Sequence, residues 1–228
     1  LQLQGPKSRD ILRAAFGDAP ADLKYYRFMK YDWNGVPLVI SRTGWSSELG
    51  YEIFLRDGSA GDALWEHVMA VGEPLGLRPG HTSSIRRIEA AMLSYHADMT
   101  LANNPFEMGM DRLVDLDMEA DFISRAALRK IKENGVTQRF VGLIIDGSAF
   151  ARSNDENWGL KQGETHVGFV TSAIHSPRLK QNIGLAMVQA DQSQIGTVFT
   201  LSMPNGARQA TVASKPFFDP KKGLAAKT

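Results

Sequence analysis

Ser41-Arg42-Thr43-Gly44-Trp45-Ser46-Ser47-Glu48-Leu49-Gly50-Tyr51-Glu52-Ile53 sets two glycines, a tryptophan and two carboxylates between apolar runs. Gly44 and Gly50 allow the backbone to turn sharply or to approach a ligand closely. Trp45 on a loop offers a large aromatic face, and Glu52 on a strand offers a pair of acceptors. By residue chemistry alone two readings stand. Either the stretch is a ligand loop, or Trp45 packs on the core and Glu52 is a solvated strand residue.

Upstream, the alternation of residues 1–4 predicts a strand already in progress, and Leu1 is not a start Met, so the chain is expected to be a fragment. Ser8 reads as a helix N-cap, followed by one apolar stripe of Ile11, Leu12, Ala15 and Phe16, with 17–20 as the stop. The aromatics Tyr25, Tyr26, Phe28 and Tyr31 favour an extended segment. Asn34-Gly35 then predicts a tight hairpin whose return strand, 37–41, delivers the chain to Arg42.

Downstream, Leu64, Trp65, Val68 and Val71 form the expected buried line of a helix, with His67 on its wet side. Residues 80–84 supply a capping loop, and Ile85, Ile88, Met92 and Tyr95 line one face of the next helix, with Arg87 one residue off that line. Ser124 predicts the cap of a helix burying Ala127, Leu128 and Ile131 and stopped by Gly135. Beyond Arg139 the pattern turns to short strands at 140–145, 166–172, 183–188, 197–203 and 209–213, which predicts a small β-barrel or sandwich. The fold class is therefore α+β, with a first domain over 1–134 and an all-β domain over 139–228, the last eight residues being a frayed basic tail.

Composition narrows the function classes. Twenty-six Lys and Arg against twenty-five Asp and Glu leave a net charge of +1, so no electrostatic footprint for nucleic acid or an anionic membrane is expected. No apolar run approaches the ~20 residues of a spanning helix. The absence of cysteine removes disulfides, thiolate metal sites and a thiol nucleophile, and fits a cytoplasmic protein. The five histidines show no ligand spacing with carboxylates, so no metal is expected. Neither a G-x-S-x-G elbow nor a glycine-rich phosphate loop occurs.

Arg42-Thr43-Gly44-Trp45-Ser46-Ser47-Glu48-Leu49-Gly50-Tyr51-Glu52-Ile53 resembles the R-x-G-[YW]-[TS]-G-E-x-G-[YF]-E-I segment of the tetrahydrofolate-dependent aminomethyltransferase (glycine-cleavage T-protein) family. Further motifs of that family have counterparts here in the same order. They are Leu3-Gln4-Gly5-Pro6-Lys7-Ser8, Arg87-Ile88-Glu89-Ala90 with Tyr95 and Asp98, and Asn104-Pro105-Phe106-Glu107. Gly168-Phe169-Val170-Thr171-Ser172 with Ser176-Pro177, Leu179 and Asn182-Ile183 follows, and Pro216-Phe217 closes the series. Within the family the likeness is closest to the dimethylsulfoniopropionate demethylases, on Gly44-Trp45-Ser46, Arg78-Pro79-Gly80, Leu93-Ser94-Tyr95 and 132–136 leading into 140–143.

What the resemblance implies is a folate-binding aminomethyltransferase fold, partial here, followed by the C-terminal β-barrel. Roughly the first 130 to 150 residues of the family pattern have no counterpart, a domain-sized part. That part carries the family's catalytic Asp, so no catalytic residue is assigned within this chain, and alone it is expected to be inactive. The implied cofactor is tetrahydrofolate, held by Glu52, Arg87 and Tyr95, with Trp45 and Ser46 against a small-molecule methyl donor. A sulfonium is a fixed cation, and an indole face is its best aromatic partner, worth ~0.5 to 2 kcal/mol. Arg87 has a second reading, an ion pair with Glu89 or Asp98, and Tyr95 a second reading as core. Two other functions stay open: aminomethyl transfer from a lipoyl carrier protein, and a non-catalytic folate-binding module. Departures from the family pattern are Ser47 and His96 where glycine is usual, Arg86 and Ala91, and Ser124-Arg125-Ala126 in place of G-K-E.

Overall fold

The computed structural model describes residues 1–81 and 83–226 of the chain. Thr82 in the expected capping loop, and Lys227 and Thr228 in the expected tail, lie outside the described residues. Two compact units divide the chain, Leu1–Arg86 with Asp219–Thr228, and Arg87–Phe218.

The first unit is a four-stranded antiparallel sheet in the order β1-β4-β3-β2, built from β1 (Gln2–Gln4), β2 (Phe28–Trp33), β3 (Val36–Ser41) and β4 (Gly50–Leu55). Alternation decides its buried face. Leu3, Leu38, Ile40, Tyr51 and Ile53 form one core with Ile11, Leu12 and Phe16 of α1 (Ser8–Phe16) and Leu64 and Val68 of α3 (Gly61–Gly72). Each such side chain withdrawn from water stabilises the unit by about 1.5 to 3 kcal/mol. The hairpin forms as expected: Asn34 and Gly35 both take positive φ, and Asp32 Oδ1 accepts from the Gly35 N–H at 2.9 Å. Of the expected tail, the described residues 221–226 are instead held. Asp219 accepts from the N–H groups of Gly223 and Leu224, and Arg42, 1% exposed, donates to the carbonyls of Leu23 and Ala225.

The second unit contains the closed six-stranded barrel β10-β5-β8-β7-β6-β9. Its strands are β5 (Gln138–Ile145), β6 (Trp158–Gln162), β7 (Thr165–Ser176), β8 (Gln181–Gln189), β9 (Val198–Met203) and β10 (Gly206–Ala213). Val141, Leu143, Leu160, Val170, Phe199, Leu201 and Val212 are among the residues of its core. A second apolar cluster joins Ile88 and Met108 to Phe140, Ile183, Leu185 and Met187 of the barrel strands. Gly168 leaves room for the neighbouring strand, since a Cβ there would lie 2.2 Å from the Met187 carbonyl oxygen.

Several expectations are corrected. Tyr25 and Tyr26 sit in a turn, Tyr26 with φ 58°, and the strand begins only at Phe28. Gly17 ends α1, but Asp18–Ala21 adds a short helix, α2. Trp65 is exposed while Leu64, Val68 and Gly72 face the core. His67 is not on the wet side: its ring packs against Phe16 and Trp33, and its Nε2 lies 2.8 Å from the Ala15 carbonyl. The helix expected to reach Tyr95 is only α4 (Ser84–Glu89), because Ala91 turns left-handed with φ 52° and the Met92 N–H closes on the Arg87 carbonyl at 2.8 Å. Helix α5 (Arg125–Asn134) buries no residue fully, and Ser124 caps it with no side-chain hydrogen bond. Strand β6 is an addition to the five strands expected beyond Arg139.

Candidate functional site

The loop between β3 and β4 is organised by a side chain outside it. Gln4 of β1 donates through Nε2 to the carbonyls of Thr43 and Tyr51, and its Oε1 accepts from Ser46 Oγ at 2.6 Å. Ser46 Oγ in turn accepts from the Glu48 N–H at 3.3 Å. A Cβ at Gly44 or at Gly50 would meet Gln4 Oε1 at 2.3 Å. These glycines therefore make room for an internal amide, and neither has a positive φ. Trp45 lies half-buried on this loop.

Glu52 sits on β4 at the register row Gln2–Glu52–Ser41. One carboxylate oxygen accepts from Gln2 Nε2 at 3.0 Å, and the other accepts from Thr43 Oγ1, which is 2.6 Å from Ser41 Oγ. Each oxygen has two lone pairs. The carboxylate is thus oriented by two donors, half-buried, and keeps acceptor capacity toward a ligand. Trp45, Ser46 and Glu52 share the first unit; Arg87 and Tyr95 belong to the second.

Arg87 is buried and makes the ion pair of its second reading, Nη1 to Asp98 Oδ2 at 2.7 Å, with Nη2 donating to Ser172 Oγ at 2.8 Å. Asp98 also accepts from the Ser94 N–H, Thr171 Oγ1 and Ser172 Oγ. Tyr95 is not core: it is 49% exposed, its ring 4.3 Å from that of His96. The departures from the family pattern have a backbone counterpart. Ser47, Ala91, His96 and Ser124 all have positive φ, at 55°, 52°, 70° and 76°. A side chain in that region costs about 1 to 2 kcal/mol, partly offset by the larger unfolded-state entropy of glycine. His96→Gly and Ser124→Gly are each expected to raise stability by about 0.5 to 1 kcal/mol, seen as higher urea midpoints with unchanged slope. A lower midpoint for either would contradict this.

Residue patterns alone do not single out Gln4, Thr43 or Lys215, although the first two stand inside the motifs Leu3–Ser8 and Arg42–Ile53. Lys215 Nζ lies 4.4 Å from the centre of the Phe140 ring, and burial lowers its pKa to about 8 although Asp98 raises it. Its unfolded value is 10.5, so the unfolded chain binds more protons between pH 8 and 10.5 and stability rises with pH across that window. The penalty is complete below the lower value and amounts to at most about 3 kcal/mol. The stability advantage of Lys215→Met over the parent is expected to be largest near neutral pH and to shrink toward about pH 10. An advantage independent of pH would contradict the assignment. Among the described residues no group of three or more His, Asp or Glu side chains is arranged to hold a metal ion, and no helix is long and apolar enough to cross a membrane.

Comparison with known proteins adds the following. Residues 1–118 match the GCVT N-terminal domain, and residues 138–219 match the glycine cleavage T-protein C-terminal barrel domain. The dimethylsulfoniopropionate demethylase of Ruegeria pomeroyi is 34% identical over 212 residues, covering 93% of this chain and 57% of the relative. An aminomethyltransferase of Bacillus pumilus is 32% identical over 222 residues, covering 96% and 60%. The crystal structure of glycine cleavage system aminomethyltransferase T from Bartonella henselae superposes with a TM-score of 0.79 at 19% identity, over 96% of this chain and 59% of that one, which shows a shared fold. The chain spans somewhat under two thirds of the length of these relatives.

Proposed function

This chain belongs to the glycine cleavage T-protein family of folate-dependent transferases, and from that premise we propose that the cytoplasmic protein carrying it moves a methyl group from a sulfonium such as dimethylsulfoniopropionate to tetrahydrofolate. One observation carries the reading: Glu52 is fixed by Gln2 and Thr43 yet retains a lone pair on each oxygen, next to a loop that bears Trp45. A carboxylate so held is a matched bidentate acceptor for the adjacent amino and amide N–H groups of a pterin. When bound, tetrahydrofolate supplies the nucleophilic ring nitrogen that accepts the methyl group. Trp45 offers the cationic sulfur an aromatic face that needs no hydrogen bond, and Ser46 fixes the loop through Gln4. For Arg87 and Tyr95 the assignment to folate rests on the family resemblance alone.

Because the donor is already activated, the residues of the chain act by positioning, and aligning two reactants can supply ~7 to 11 kcal/mol. The second reading, aminomethyl transfer from a lipoyl carrier protein, draws support from the aminomethyltransferases among the relatives. Trp45→Ala separates the two. In the protein carrying this chain it is expected to weaken sulfonium binding by up to about 30-fold while leaving tetrahydrofolate affinity within about twofold. Equal loss of both affinities would show that Trp45 holds the loop, and unchanged sulfonium binding would favour the lipoyl reading.

A further inference from the structure

Arg42 is a charged side chain enclosed as fully as the core residues around it. It stands one position before Thr43, and its guanidinium lies 5.4 Å from the centre of the Tyr51 ring, one position before Glu52. The Thr43 hydroxyl donates to the Glu52 carboxylate, so both partners of that hydrogen bond are seated on one arginine. The backbone of Arg42 is fixed as well: its N–H donates to the Arg27 carbonyl at 2.8 Å, and its carbonyl accepts from the Tyr26 N–H at 3.1 Å.

The guanidinium is gripped from a distant part of the chain. Nη1 donates to the Leu23 carbonyl at 3.1 Å, and Nη2 donates to the Ala225 carbonyl at 2.9 Å across 183 positions. A compact turn delivers Ala225 to this point. Asp219 takes φ 48°, its Oδ1 accepts from the Gly223 N–H and its Oδ2 from the Leu224 N–H, both at 2.8 Å, and the Ala226 N–H closes on the Lys222 carbonyl. Ala225 is buried, whereas residues 221–224 and 226 are exposed or half-buried, so the segment touches down at this residue.

We propose that residues 219–225 form a clamp, and that Arg42, which the clamp grips, is a positioning residue for the Glu52 carboxylate. Segments held by few bonds open locally, well before global unfolding. With the clamp open, a desolvated guanidinium loses a buried acceptor and moves toward another, and Thr43 and Tyr51 move with it. Thr43 then no longer aims its hydroxyl at Glu52. The proposal rests on the reading of Glu52 as the pterin acceptor.

Two variants open the clamp from outside the sheet. Asp219→Gly removes both acceptors while easing a positive φ, and Ala225→Glu forces a charge into the buried seat. In the protein carrying this chain, both are expected to quicken amide hydrogen exchange at Tyr26 and Arg42 at least about tenfold, with the sheet amides of Ile40 and Ile53 unchanged. Unchanged exchange at Arg42 overturns the clamp. Faster exchange at all four amides also overturns it, because the segment then supports the whole unit.

Calorimetric titration of tetrahydrofolate reads the consequence at the site. Each variant is expected to weaken binding about 3- to 10-fold. With Thr43→Val already present the same variants are expected to weaken it by less than about twofold, since the hydrogen bond that the clamp aims is gone. Unchanged affinity, or equal weakening in both backgrounds as for a merely structural segment, overturns the assignment of Arg42. No binding by the parent marks the failure of the folate reading instead, and the exchange measurement alone then upholds or overturns the clamp.

Discussion

Replacing Arg87 by alanine is expected to cost about 3 to 5 kcal/mol of folding stability, the range for removing one partner of a buried ion pair. The side chain of Asp98 is fully inaccessible and that of Arg87 only 9% exposed. With the guanidinium gone, a buried carboxylate keeps its bonds to Ser94, Thr171 and Ser172 but loses its counter-charge, and Ser172 loses its arginine donor. The melting temperature should fall by roughly 10 to 20 °C. Arg87→Lys keeps the charge but not the two-pronged geometry, and should fall between. A double replacement, Arg87→Met with Asp98→Leu, should recover part of the loss, because neither member of the ion pair is left alone, while Lys215 gives up the favourable charge of Asp98. A cost below about 1 kcal/mol for Arg87→Ala would mean the pair behaves as a solvated one.

This prediction also shows where sequence alone stops. An arginine one residue off a helical stripe is equally compatible with a ligand carboxylate and with an internal aspartate, and only the approach of Asp98 and of Ser172 from β7 decides what it touches. The Asn34-Gly35 hairpin was legible because its cause is local, two residues that tolerate positive φ. Most barrel strands were legible from short apolar runs between turns. The Trp158–Gln162 strand was not: it is five residues long, contains Gly159, and shifts register between Leu160 and Lys161. The stripe from Ile85 to Tyr95 misled because its spacing continues past Ala91 while the backbone does not. His67 misled because a polar residue at a nominally wet helical position packs against Trp33.

In the candidate site, Trp45 and Glu52 were legible as members of one motif. Their organisers were not. Gln4 acts on Thr43 and Tyr51 across 39 and 47 positions of chain, a relation that residue spacing does not encode. Thr43 was visible only as a neighbour of Gly44, yet it fixes the carboxylate on which the functional reading depends. The glycines attracted attention as ligand-approach positions, and their neighbour proved to be an internal glutamine amide.

The second large effect concerns that carboxylate. Glu52→Gln preserves size and one acceptor but replaces the other with a donor, so a pterin presenting two N–H groups would face one matched and one opposed contact. Hydrogen bonds to charged groups contribute about 1.5 to 3 kcal/mol, so the expected loss is roughly 10- to 100-fold in tetrahydrofolate affinity. Folding should change little, because Glu52 is half-buried and Gln2 can still donate to the remaining oxygen. Calorimetric titration of tetrahydrofolate into the protein carrying this chain, side by side with its Glu52→Gln variant, is the most direct test. Saturable binding by the parent with a loss of that size in the variant is the predicted result; no binding by the parent, or equal affinity in the two, would contradict the assignment of Glu52 to the folate.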